Sequence, residues 1–148
     1  MKFHMQTEPI HVVGIELRTN NNDAFREIPA HWQRFYQENT MEKIVERMSN
    51  DVYAVYTNFE HEGRSNDGTY SFIIGAQVKA STRAPHSLTS AVIPASKRAV
   101  FEVPTGQPEK VGESWMEIWK LGELNKSYIS DYEHYKKTGE IEIHIGIR

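Results

Sequence analysis

The sequence predicts an α+β fold in which two βαββ repeats, related by pseudo-twofold symmetry, form one antiparallel sheet with two main helices on one face and a groove between them. Three observations predict it. The order strand, helix, strand, strand occurs twice along the chain, each helical segment carries an apolar stripe containing tryptophan, and the last segment alternates isoleucine with other residues at the period of a strand. The period is too long for a solenoid, and no linker or low-complexity tract divides the chain. Residues 1–148 therefore read as a single domain, with repeat one over about 10–80 and repeat two over about 95–148.

In order, Ile10 to Arg18 is a strand, rich in branched apolar residues around Gly14 and ended by the loop signal Asn20 to Asp23. Pro29 suits the first turn of a helix, and Trp32, Phe35 and Tyr36 fall at i, i+3 and i+4 on one face. Thr40 is the expected cap of a second, shorter helix with Ile44, Val45 and Met48 as its apolar side. Val52 to Phe59 and Tyr70 to Val78 are two strands of a hairpin whose polar tip contains Gly63, Asn66, Asp67 and Gly68. A loop, Ser81 to Ser90, precedes the strand Lys97 to Val103, which Pro104, Thr105 and Gly106 stop. Pro108 opens a helix with Val111, Trp115, Ile118 and Trp119 on its stripe. Ser127 to Tyr135 and Glu140 to Ile147 complete the second repeat, joined by Lys136 to Gly139.

Composition narrows the function classes. The chain has no cysteine, so disulfides, thiolate metal sites and cysteine nucleophiles are excluded and a cytoplasmic setting is expected. Met1 to Pro9 lacks the apolar stretch of a secretory signal, and no window approaches the roughly 18 apolar residues of a membrane span. A net charge of -3 without a dense Lys/Arg run argues against nucleic-acid binding. The seven histidines, His4, His11, His31, His61, His86, His134 and His144, show no metal-ligand spacing, so no metal is expected. No nucleophile elbow, phosphate loop or dinucleotide fingerprint occurs, and no cofactor is expected.

The penultimate strand carries the most specific chemistry. Its odd positions place Ile129, Asp131, Glu133 and Tyr135 on one face, and its even positions place Tyr128, Ser130, Tyr132 and His134 on the other. Alternation alone leaves both faces open as the inner one. If the odd face lies under the helices, Glu133 is a carboxylate among aromatics, an arrangement that a ligand cation would compensate. Trp32, Trp115 and Trp119 each read as core when taken singly, yet two helices over one sheet would bring all three to the same groove.

Ile28 to Trp32 (IPAHW), Val52 to Glu60 (VYAVYTNFE), Tyr70 to Val78, Phe101 to Pro104 (FEVP), Ser130 to Tyr135 (SDYEHY) and Glu140 to Ile147 (EIEIHIGI) occur in this order across the two repeats. Together they resemble the GyrI-like, or bacterial transcription-activator effector-binding, domains. Those domains occur at the end of AraC- and MerR-type regulators and as stand-alone proteins, some of them drug-binding proteins encoded by integron cassettes. The resemblance covers about Ile10 to Arg148 and departs at Gly146, where a proline is expected in an Ile-Pro-Ile ending. It implies that the odd face is inward and that Glu133 and Tyr135 line a ligand pocket walled by Trp32, Trp115 and Trp119. Aligning the repeats with Ile129 on Tyr53 and Tyr135 on Phe59 adds Tyr53 and Phe59 to the expected site.

The leading expectation is non-catalytic binding of a small lipophilic organic cation, with a transcription regulator or other protein as a further partner that the resemblance implies. An enzymatic alternative, a small-molecule hydrolase of the same fold, would use Glu133 to activate water. Protein inhibition, as in relatives that bind a topoisomerase, finds little support in the mild charge.

Overall fold

The computed structural model describes residues 1–148. Its strands are β1 (Lys2–Gln6), β2 (Ile10–Asn20), β3 (Val52–Thr57), β4 (Thr69–Val78), β5 (Thr89–Ile93), β6 (Ser96–Val103), β7 (Asp131–Tyr135) and β8 (Ile141–Ile147). The helices are α1 (Ala24–Gln37), the single turn α2 (Thr40–Lys43) and α3 (Val111–Trp119), the last preceded by a 3-10 turn at Pro108–Lys110. All eight strands form one sheet in the order β1-β6-β8-β7-β3-β4-β2-β5, and every pair is antiparallel.

The two βαββ repeats are present: β2, α1, β3 and β4, then β6, α3, β7 and β8. They meet at the β3–β7 seam, whose five paired positions have Ala54 opposite Glu133 at the centre. A two-fold through that central pair relates Tyr53 to Tyr132 and Tyr56 to Tyr135. Two strands lie outside the expected repeat. β1 precedes β2 in sequence but pairs with β6, and β5 precedes β6 but pairs with β2. Each repeat thus borrows an edge strand from the other.

One row of the sheet runs Ile15, Ile74, Ala54, Glu133, Ile143 and Phe101 across β2, β4, β3, β7, β8 and β6. This row lies under the helices. α1 packs Phe35 with Val13, Ile15, Ala54 and Ile74, while α3 packs Val111 and Ile118 with Ala99, Ile143 and Ile145. The His31 Nε2 atom, 3.0 Å from the Ile15 carbonyl, fixes α1 to β2. The opposite face buries Val12, Tyr53, Val55, Ile73, Ile93 and Tyr132. It closes where Gln6 of β1 donates to the Ile93 carbonyl at the end of β5 at 3.2 Å, so the two outermost strands of the sheet touch. Arg98 is fully buried there; its guanidinium donates to Gln6 Oε1 and the Pro94 carbonyl at 2.9 Å each and to the Ser130 carbonyl, and lies over the Tyr132 ring.

Local departures from expectation have local causes. α1 begins at Ala24, and Pro29 lies within it; the carbonyl that its missing N–H would have met belongs to Phe25, in an exposed first turn. Asn39, at φ 50°, precedes α2 without a side-chain cap, and the helix stops after one turn; Ile44 is buried while Val45 is 89% exposed. Tyr128, at φ 54°, bends the chain, so β7 begins at Asp131 rather than Ser127. Where β2 pairs with β4, Gly14 faces Gly75, and a Cβ at Gly75 would stand 1.9 Å from the Val13 carbonyl oxygen. Only glycine permits that approach. No helix is long and apolar enough to cross a membrane.

Candidate functional site

A cavity of about 650 Å³ lies between α1, α3 and the β3–β7 seam. β7 turns Asp131, Glu133 and Tyr135 toward it, because Glu133 shares the helix-facing row with Ala54 and side chains alternate along a strand. α1 contributes Phe25, Ile28 and Trp32; α3 contributes Val111, Trp115 and Trp119; Tyr56, Phe59 and Tyr70 come from the first hairpin. Phe25, 79% exposed, and Trp119, 52% exposed, form the lip. The aromatic wall is continuous: Trp32 packs edge-on to Tyr135 at 5.0 Å between ring centres, Tyr56 to Trp115 at 5.2 Å, and Trp115 tilts against Trp119 at 6.3 Å.

Glu133 is 2% exposed at the floor of the cavity. The Tyr56 hydroxyl and the Trp115 indole N–H each donate to Oε2 at 2.7 Å, and the Tyr135 hydroxyl donates to Oε1 at 2.5 Å. Burial pushes its carboxyl above the usual carboxylate range, and the three donors act in the opposite sense. All three partners are neutral, so the ionised form is solvated by hydrogen bonds and carries no compensating protein charge. Asp131, two residues earlier on the same face, accepts the Gly146 N–H at 2.8 Å, and burial raises its pKa to about 6. Proline at position 146 could not donate this bond, so the departure from the Ile-Pro-Ile ending is tied to Asp131.

Six of the seven expected site residues line the cavity: Glu133, Tyr135, Trp32, Trp115, Trp119 and Phe59. Tyr53 does not. It lies on the opposite face, stacked on His134 at 4.4 Å and bonded to Gln77 Oε1 at 3.3 Å. The alignment of Tyr53 with Ile129 is offset by three residues from the observed register, which pairs Ala54 with Glu133. An odd offset exchanges the two faces of a strand. The observed register makes Tyr56, which the repeat alignment does not place in the site, the counterpart of Tyr135. Tyr70 and Phe25 line the cavity as well, although the sequence pattern does not fix the direction in which either side chain points.

Comparison with known proteins agrees with this architecture. The chain is similar to the integron cassette protein VCH_CASS2 from the mobile metagenome of Vibrio cholerae, with 21% identity, complete coverage of both chains and a TM-score of 0.74. It is similar to SAV2435, solved bound to tetraphenylphosphonium, with 19% identity over 100% of this chain and 94% of that one, at a TM-score of 0.78. A Staphylococcus aureus MU50 protein named for bacterial transcription regulation shares 20% identity over 100% and 99% of the two chains, at a TM-score of 0.73. No curated protein sequence matches. Residues 5–147 match the family described as Cass2, integron-associated effector binding protein, and with the repeated βαββ scaffold and its aromatic cavity the chain belongs to that family.

Proposed function

We propose that the cavity binds a small lipophilic organic cation without turning it over, Glu133 supplying the charge and Trp32, Tyr56, Trp115, Trp119 and Tyr135 the surrounding faces. The observation that carries this reading is a buried carboxylate whose hydrogen-bond partners are all neutral, at the floor of an aromatic cavity large enough for a drug-sized molecule. A bound cation supplies the missing counter-charge, and each ring face adds about 0.5 to 2 kcal/mol. SAV2435, a structural neighbour, holds such a cation, tetraphenylphosphonium. Flat rings and a point charge restrict ligand shape only loosely, so the site accepts several cations.

Binding asks less of this carboxylate than water activation does: three of its about four lone-pair directions are already taken by donors, and a cation needs its charge rather than a free lone pair. A general base needs one of those directions aimed at the water it deprotonates. Titration of the protein with tetraphenylphosphonium tests the proposal. Glu133→Gln is expected to cost about 2 kcal/mol, a factor of about 30 in affinity. Equal affinity in the two proteins would overturn the charge role. The wild-type affinity falls on acidification, and the fall begins above pH 4.5, because burial raises the Glu133 pKa from that ordinary value and the protonated acid offers the cation no charge.

A further inference from the structure

The sheet face turned away from the cavity gathers a second set of side chains. His134 on β7 and Glu142 on β8 pair directly across the strands, and His144 follows Glu142 on the same side of β8. One ligand atom from each lies within 4.8 Å of the others. Both imidazoles are held flat on tyrosines, His134 on Tyr53 and His144 on Tyr132, each at 4.4 Å between ring centres with interplanar angles of 17° and 9°. Rings already fixed in place lose little further freedom on coordination. The side chains of His134, Glu142 and His144 retain 16%, 14% and 9% exposure, which leaves the cluster reachable from solvent.

We propose that His134, Glu142 and His144 form a binding site for a divalent transition-metal ion of the zinc or cobalt class, on the sheet face opposite the aromatic cavity. Two imidazole nitrogens with one carboxylate suit these ions rather than calcium or magnesium, and three protein ligands leave a coordination position for water. The Nε2 atoms now face carboxylates, His134 with Asp51 Oδ2 at 2.8 Å and His144 with Glu142 Oε1 at 3.0 Å. An ion takes the Nε2 lone pair of each neutral ring, whose proton then sits on Nδ1. Asp51 Oδ2 now occupies that direction at His134 and has to turn aside for the ion or join it as a further ligand, while its Oδ1 is held by the Lys137 N–H at 2.9 Å. Two features keep the affinity moderate. Lys136 and Lys2 stand 3.7 and 4.0 Å from Glu142 Oε2 and compete with the ion, and the buried Nδ1 of His144 has no hydrogen-bond acceptor.

Untagged, chelator-treated protein is titrated with Co²⁺, followed by visible d–d absorption, and with Zn²⁺, followed by thermal shift. Saturable binding of one ion per chain is expected, weakened about tenfold or more by His134→Gln and by Glu142→Gln. His11→Gln on β2 is expected to leave it unchanged. Near-ultraviolet circular dichroism confirms that each variant folds, and two variants at different ligands guard against the loss of either one. No saturable binding below about 1 mM would overturn the proposal. So would equal affinity in wild type and both ligand variants; the cluster would then be only a ladder of ion pairs across β7 and β8.

Discussion

The two repeats share a backbone plan and differ in chemistry at its centre. At the seam, the first repeat places Ala54 where the second places Glu133, while the tyrosine that follows each on the same face, Tyr56 or Tyr135, is common to both. Both tyrosines donate to the single acid. The repeated plan therefore supplies two related donors, and the difference at one position, Ala54 against Glu133, gives an otherwise apolar row its one acid. The difference shows why only one acid stands in the central pair: two ionised carboxylates facing each other under the helices could not both be solvated.

Restoring the symmetry in the wrong direction is expected to have the largest effect. Ala54→Glu places a second carboxylate at a fully buried position directly opposite Glu133. Destabilisation of about 3 kcal/mol or more is expected in a denaturant titration, and the double variant Ala54→Glu, Glu133→Ala should recover part of it. A wild-type melting curve for Ala54→Glu would show that the row tolerates charge generally.

The two symmetric donors provide a finer comparison. Tyr56→Phe and Tyr135→Phe each remove one hydrogen bond to a buried carboxylate, expected to cost about 1.5 to 3 kcal/mol at neutral pH. Each also raises the Glu133 pKa further, since both hydroxyls hold it down. The loss of cation affinity on acidification should therefore move to higher pH in both variants, measured by tetraphenylphosphonium titration across pH. A shift in only one of them would mean that the two repeats do not act alike on the acid.

An effect confined to neutral and alkaline pH is expected at Asp131, the other acid of the cavity wall. Its folded pKa is about 6, raised from 3.8 chiefly by burial, so the folded state binds the extra proton between these values. The penalty of keeping it ionised is absent below about pH 4, grows as pH rises and is complete above about pH 6. Asp131→Asn retains an oxygen for the Gly146 N–H and removes the charge. Its stability should exceed that of the wild type by up to about 3 kcal/mol at pH 8 and come close to it at pH 4, read by thermal melting at both. An equal difference at the two pH values would separate Asp131 from the pH dependence.

Much of the site was legible because it depends on short-range pattern. The spacing of Trp115 and Trp119 on a helical stripe, and the alternation that puts Asp131, Glu133 and Tyr135 on one face, survive unchanged in the structure. Tyr56 and Tyr53 were harder to separate, since they lie three residues apart on one strand and the choice between them rests on register with a distant strand. β1 was not legible: its alternation is only five residues long, with Phe3 and Met5 between Lys2, His4 and Gln6, and its partner β6 lies in the other repeat. The turn at Tyr128 carries no glycine to announce its positive φ.

By itself the sequence determined the element order, the two repeats, the helix stripes and the sharing of one strand face by Asp131, Glu133 and Tyr135, all of which follow from periodicities of two and 3.6 residues. Tertiary structure decided which face of β7 turns inward, that β1 and β5 are exchanged between repeats, and that Tyr56 rather than Tyr53 meets Glu133. It also drew His134, Glu142 and His144 together from positions whose spacing carried no metal signature. The physical reason is common to these cases: a local period places a side chain on a face, and only the long-range pairing of strands fixes what that face meets.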